Sequence, residues 1–234
     1  MLRVIDTLAP LDTLIAARVR AGPLEGLVMH MYPHALDMAI GRHEPLVGNL
    51  IRRHLSEGDI AFDVGANVGY FTLLMARCVG ASGRVVAFEP DPFVGEYLRR
   101  NIAGNQDQLG ASINAVDVAI GGYSGSRPFT PGSRISRGTL VSGVGPLSVD
   151  VLTLEEAIGR YGFPQLIKID VEGAESELLE GAVGFLATLR TTIIIEAHSQ
   201  LLEKRCLEHL RRSGFHCERL RQSGTKETYI LATR

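Results

Sequence analysis

The chain has 234 residues, 45% hydrophobic and 21% charged, an ordinary balance for one soluble globular unit with a sizeable core. Its 24 Lys and Arg against 26 Asp and Glu give a net charge of −2. No basic run tracks phosphates, which argues against a nucleic-acid partner. The three cysteines, Cys78, Cys206 and Cys217, form no C-x-x-C pair, and no stretch approaches the roughly 18 apolar residues of a membrane span. The chain therefore reads as cytoplasmic, in a reducing compartment.

Residues 1–21 are broken by Arg3, Asp6, Asp12, Arg18 and Arg20, so they lack the continuous apolar centre of a signal peptide. Leu8, Leu11, Leu14 and Ile15 recur at helical spacing and predict a helix that covers part of the core or meets a second copy in a homodimer. Residues 27–32 and 35–40 are apolar runs around Pro33-His34, the pattern of two short strands and a turn. His30, His34 and His43 fall in or just after them, either as polar handles in a substrate pocket or as solvated loop residues. Gly41-Arg42-His43-Glu44-Pro45 then opens a helix over 46–55. Residues 1–55 are read as a helical and hairpin extension packed on a main unit of 56–234.

Ile60-Ala61-Phe62 leads into Asp63-Val64-Gly65-Ala66-Asn67-Val68-Gly69, and an apolar-periodic segment follows over 70–79. This is strand, tight turn and helix. Glycine lets the backbone turn sharply and approach a ligand, and the helix start offers free N–H groups. Gly65, Asn67 and Gly69 are two apart, and Tyr70 occupies the place of the third glycine of G-x-G-x-x-G. That spacing argues against a nicotinamide-dependent oxidoreductase. It looks like the D/E-x-G-x-G-x-G loop of S-adenosylmethionine (SAM) methyltransferases, with Asn67 at the middle glycine, where Asn tolerates a left-handed backbone. A buried strand over 84–88 is closed by Glu89, placed to accept both hydroxyls of a ribose.

A helix over 93–102 and a third strand over 112–116, ending at Asp117, continue the pattern of a doubly wound parallel sheet. Residues 121–145 are rich in Gly, Ser and Arg and read as a lid or substrate loop, or as plain disorder. Arg127, Arg134 and Arg137 within them are candidates for holding an anionic group, or are simply solvated. Residues 148–152 read as an edge strand, and Thr153-Leu154-Glu155-Glu156 as a capping box. A strand over 165–169 brings Lys168, Asp170 and Glu172 to its C-terminal end. After a helix over 174–186, a strand over 191–196 ends in Glu196 and His198. A helix over 200–213 and an antiparallel hairpin of 215–220 and 227–232 close the chain.

Four blocks together resemble the FkbM family of SAM-dependent methyltransferases: residues 62–71, Ala87-Phe88-Glu89-Pro90-Asp91, Ile167-Lys168-Ile169-Asp170-Val171-Glu172-Gly173-Ala174-Glu175, and Ile195-Glu196-Ala197-His198. The resemblance covers about residues 41–200. Residues 1–40 and the 121–145 stretch carry no signature. It implies an α/β class I methyltransferase (Rossmann-like) fold, a seven-stranded sheet of order 3-2-1-4-5-7-6 with strand seven antiparallel. It implies methyl transfer, usually to a hydroxyl on a sugar, glycan or natural product. It places the cofactor on Asp63, Gly65, Asn67, Gly69 and Glu89, with the adenine near Asp117 and Val118 and the methyl group near Asp170. Family members often have Tyr where His43 stands before Glu44.

Alignment of the acceptor and a sink for its proton are what this chemistry needs. Asp170, Glu172, Glu196 and His198 are the candidate bases, with the unperturbed His198 best matched to neutrality. Asp170, Glu172 and His198 are also of the donor types that would hold Mg or Mn. Plainer roles stand beside these: Glu172 pairing with Lys168 or capping a helix, and His198 capping the next. The rival reading for the whole chain is an inactive methyltransferase-like binding module. The partner expected is a small-molecule or glycan acceptor.

Overall fold

The computed structural model describes residues 14–131, 139–140, 145–222 and 228–234. Leu8, Leu11, Arg134 and Arg137 lie outside them.

The described residues open with an antiparallel pair, β1 (Ile15–Arg18) and β2 (Val28–Met31). Here the structure departs from the expected helix. Ile15 and Ala17 are partly buried and Ala16 and Arg18 exposed, a period of two. The expected hairpin of 27–40 is also replaced. β2 pairs with the upstream β1, and the second run is a short helix, α1 (Leu36–Ala39), that buries Met38 and exposes Leu36 and Ile40. Next come α2 (Pro45–His54), β3 (Ile60–Val64), α3 (Tyr70–Val79), β4 (Arg84–Phe88), α4 (Pro92–Ala103), α5 (Gln106–Leu109) and β5 (Ser112–Val116). Then follow β6 (Ala119–Gly121), β7 (Gly125–Thr130), β8 (Thr139–Leu140), β9 (Leu147–Thr153), α6 (Leu154–Tyr161), β10 (Leu166–Ile169), α7 (Glu175–Leu186), β11 (Thr192–Ala197), α8 (Gln200–Arg212), β12 (His216–Arg221) and β13 (Thr228–Thr233).

The main sheet runs β5-β4-β3-β10-β11-β13-β12. Numbered within this sheet alone, that is 3-2-1-4-5-7-6, and β13 is antiparallel to both its neighbours. Alternate residues of the central strands feed two cores. Ala61, Val85, Ala87, Leu166 and Ile194 face one side with α2, α3 and α4. Phe62, Val64, Val86, Phe88, Ile167, Ile169, Ile193 and Ile195 face the other with α6, α7 and α8. Both faces are covered, so these strands are apolar throughout. Asp63 and Lys168 interrupt them and share the first face by parity, pointing under the start of α3. Among the described residues no helix is long and apolar enough to cross a membrane.

The 121–145 stretch is not wholly a loop. β6, β9, β7 and β8 form a second sheet in that order, with its own small core of Ala119, Phe129, Val149 and Val151. β9 lies inside this sheet, so the expected edge strand over 148–152 is an interior one. Arg127 is buried, pairs with Glu177 of α7 and lies over the Tyr123 ring at 4.7 Å. It fastens the second sheet to α7 and is not a free substrate arm. The backbones also touch there: a Cβ on Gly181 would stand 2.1 Å from the Gly122 carbonyl oxygen. The capping box at Thr153 and Glu156 forms as expected.

Asn101 of α4 and Asn105, which precedes α5, hold the N-terminal pair in an unusual way. Asn105 Oδ1 accepts the Val28 N–H at 3.0 Å and its Nδ2 donates to the Val28 carbonyl at 2.7 Å. Asn101 does the same for His30, at 2.6 and 2.9 Å, and its Nδ2 also donates to the Val68 carbonyl at 2.8 Å. One helical turn of four residues rises about 6 Å, and two strand residues advance about 6.7 Å. The two amides therefore match alternate residues of β2 as a neighbouring strand would. Asn101→Ala leaves buried backbone groups of β2 and of the loop after β3 unsatisfied. A loss of about 2–4 kcal/mol is expected in urea unfolding, with an exposed control, Glu96→Ala, within about 0.5 kcal/mol of wild type.

Candidate active site

β3, β4, β10 and β11 run parallel, and their C-terminal ends lie along one edge. The turn after β3 is built on three left-handed residues: Gly65 at φ 78°, Asn67 at φ 51° and Gly69 at φ 92°. Gly65 is required by space as well, because a Cβ there would stand 1.9 Å from the Asp170 carbonyl oxygen. The turn after β3 thus rests directly on the end of β10. Gly65 and Ala66 both donate to the Phe88 carbonyl at 3.0 Å, and Asn67 Oδ1 accepts the Val68 N–H at 2.7 Å.

Glu89 follows β4 and joins this turn. Its Oε2 accepts the Asn67 N–H at 2.8 Å and its Oε1 the Asp91 N–H at 2.9 Å. Burial pushes its carboxyl up to about 7, against those two N–H donors. Asp91 caps α4 by accepting from Phe93 and Val94. Asp117 has a side chain 61% exposed and pairs with Arg99 of α4, while Val118 is half-buried against the second core.

Asp63 is sealed from solvent. Its Oδ2 accepts from Thr72 Oγ1 at 2.6 Å, and its Oδ1 lies 3.7 Å from Lys168 Nζ. Burial pushes the Asp63 carboxyl up, and Lys168 pulls it back. The Lys168 ammonium also donates to Asp170 Oδ2 at 3.3 Å and lies 5.1 Å from the centre of the Phe71 ring. Burial pushes Lys168 toward neutrality, but Asp170, Asp63, Glu44 and Glu196 outweigh it and hold the lysine charged. Glu44 reaches this group from the segment before α2, with φ 36°. Beside it His43 Nδ1 meets Asp37 Oδ2 at 2.6 Å, which holds the Asp37 carboxyl below its usual range. The His43 ring packs against Tyr70 and Phe71. His34 stacks on Tyr32, and His30 lies against Tyr97.

The expected residues at the ends of β10 and β11 do converge, and they do so around His198. Nδ1 meets Glu175 Oε1 at 2.8 Å. Nε2 lies 3.2 Å from Glu172, 3.5 Å from Asp170 and 3.7 Å from Glu196. Burial favours loss of the proton, but hydrogen bonds to Glu172 and Glu175 and the charges of Asp170 and Glu172 prevail and push His198 up to about 11. These carboxylates favour the imidazolium over the neutral imidazole that a base would need. Glu175 was not singled out in the sequence. An acid in the first turn of a helix is ordinarily explained by the helix dipole, and only its position three residues after Glu172 set it apart. Glu172 has φ 52°, an uncommon backbone for a side chain and one that accumulates at functional sites.

Asp170, Glu196 and His198 each offer a possible metal-ligand atom within 4.8 Å of the others. The donor types would suit a divalent cation. A metal ligand must be the neutral imidazole, so an ion here would replace the proton that the facing carboxylates favour at Nε2.

Residues 63–224 match the family described as Methyltransferase FkbM domain. The hexuronic acid methyltransferase AglP of Haloferax volcanii is 28% identical over 161 residues, covering 68% of this chain and 64% of that protein. The 31-O-demethyl-FK506 methyltransferase FkbM of Streptomyces tacrolimicus is 29% identical over 209 residues, 76% of each. The matches span about three fifths of the length of the first curated relatives. Among solved structures, methyltransferase FkbM from Methylobacillus flagellatus superposes with a TM-score of 0.59 at 18% identity, over 76% of this chain and 44% of that one, a likeness of fold. The match of the family to most of the chain, over a sheet of this order and a glycine loop of this shape, makes the protein a member of the FkbM methyltransferase family.

Proposed function

We propose that the protein transfers the methyl group of SAM to a hydroxyl of a sugar, glycan or natural product. The observation that carries this reading is the left-handed turn of Gly65, Asn67 and Gly69 with Glu89 bonded beneath it, at the sheet edge where Asp170, Glu172 and Glu196 gather. The names of the hexuronic acid and FK506 relatives favour oxygen on a sugar or natural product as the acceptor. Residues 56–234 form the cofactor-binding unit in this reading, and residues 1–55 an extension that contributes Glu44.

SAM supplies an activated methyl group when bound. The N–H groups of the first turn of α3 face its polar parts, because those of the loop before it are already given to Phe88, Glu89, Asn67 and Ala66. Glu89 keeps a lone pair on each oxygen for the ribose hydroxyls, and Asp117 and Val118 flank the adenine. Asp63 acts from behind: it anchors Lys168 and Thr72 and so fixes the turn. Asp170 lies beside the methyl position. The proton released by the acceptor goes to a carboxylate, and Glu172, with a side chain 23% exposed, is the most accessible of the three. His198, already protonated, positions these carboxylates and does not serve as the base.

Calorimetric titration with S-adenosylhomocysteine, with and without Mg²⁺, tests the cofactor site. Binding is expected in both conditions, and Glu89→Ala should weaken it by at least about tenfold, since charged hydrogen bonds are lost. Absence of binding would move the inactive-module reading to the front. The ionised Glu89 is the better acceptor, so affinity should be full above about pH 8 and fall by up to roughly tenfold per pH unit below 7. Glu89→Gln should flatten that profile; an unchanged profile in Glu89→Gln would show that another group titrates. Glu172→Gln should keep homocysteine-product affinity within about twofold of wild type. It should lower turnover on a panel of glycosides, read as product release, by on the order of 10²–10⁴.

A further inference from the structure

α8 and β12 enclose a groove of about 430 Å³ that the catalytic reading does not use. One stripe of α8 lines it with Glu203, Lys204, Leu207 and Arg211, and β12 contributes Arg219 and Arg221. The helical residues recur at one-face spacing, and the two arginines are two apart on a strand, so they share a side. Residues 200–222 hold six Lys and Arg against three Glu, in a chain whose net charge is −2. The basic character is therefore local.

The floor of the groove is neutralised from within. Glu203 is buried and pairs with Arg219, and Leu207 adds an apolar patch. The rim is not neutralised: among the described residues no carboxylate pairs with Lys204, Arg211 or Arg221. Three cations gathered around one concave surface repel each other, and an anion placed between them removes that cost. Two are guanidinium forks, suited to bidentate contact with phosphate or carboxylate.

The groove also begins at the right place. α8 starts two residues after His198. β12 is antiparallel to β13, which is antiparallel to β11, so Arg221 lies at the same edge of the sheet as Glu196. The next residue, Gln222, accepts the Leu46 N–H at 3.1 Å, two residues past Glu44. The upper end of the groove, lined by Gln200, thus lies two residues along the chain from His198. We propose that this groove is an anion subsite that holds the phosphate or carboxylate group of the methyl acceptor. The word acceptor rests on the methyltransferase reading; the anion specificity rests on the groove.

The test titrates glucose 1-phosphate, glucuronate and glucose into the protein at fixed ionic strength, with and without S-adenosylhomocysteine. At least one of the charged sugars should bind and neutral glucose should not; which charged sugar binds identifies the anion. The variant K204Q/R211Q/R221Q should lose at least about tenfold in that affinity and keep its affinity for S-adenosylhomocysteine. Arg219 stays in place because it neutralises buried Glu203. A single Arg221→Glu substitution should weaken anion binding in the same direction. Binding of neither charged sugar, equal binding of glucose, or wild-type affinity in the triple variant would overturn the subsite. Failure of S-adenosylhomocysteine to bind in the same samples would strike the cofactor reading alone.

Discussion

The centre of this molecule is held by one buried ammonium. Lys168 stands opposite Asp63 in the register of β10 and β3, and its charge is shared with Asp170 at the end of its own strand. A lone ammonium in such a position would give up its proton. Here carboxylates from three strands and from the segment before α2 keep it charged. The same contact fixes where the strand ends lie relative to each other, and the turn after β3 depends on that. Gly65 touches the Asp170 carbonyl, so any shift of β10 against β3 is felt at once in the loop. The ion group buries charge at a cost that apolar residues would avoid. It places three polar side chains at the edge of the sheet in a single geometry.

Around this centre the edge divides into two chemistries. The side toward β4 is made of backbone N–H groups and one acid, Glu89, whose proton is held more tightly than in water. The side toward β11 is made of carboxylates arranged around an imidazolium. The first suits a nucleoside and the second an alcohol. Asp170 belongs to both, because its backbone supports the turn while its side chain faces Lys168 and His198. The segment before α2 closes the group from outside, with Glu44 next to Lys168 and His43 packed on Tyr70 and Phe71.

Much of this was legible in the sequence where one physical signal dominated. The strand-turn-helix at 60–79 was read from the apolar run, the spacing of Gly65, Asn67 and Gly69, and the periodic segment after them. Its boundaries as a strand over Ile60–Val64 and a helix over Tyr70–Val79 follow that reading. Elsewhere two signals competed. Ile15 and Ala17 satisfy a strand, yet Ile15 with Leu8, Leu11 and Leu14 also reads as a helix. In 121–145 the frequent Gly and Ser hid the alternation of Arg127 and Phe129 that makes β7. The charge state of His198 was beyond the reach of spacing altogether. It is set by Glu172, Glu175 and Asp170, and only the packing of β10, α7 and β11 brings these acids around the ring.

Asn101 of α4 and Asn105 just beyond it have a consequence for association. The outward N–H and C=O groups of Val28 and His30 would otherwise form an open strand edge, a template on which another chain can add a strand. Asn101 and Asn105 occupy those groups with side chains, so that side of the N-terminal pair cannot recruit a partner by backbone pairing. Two side-chain amides here close the outer edge of β2 without covering it with bulk, so that edge does not act as a seed for aggregation.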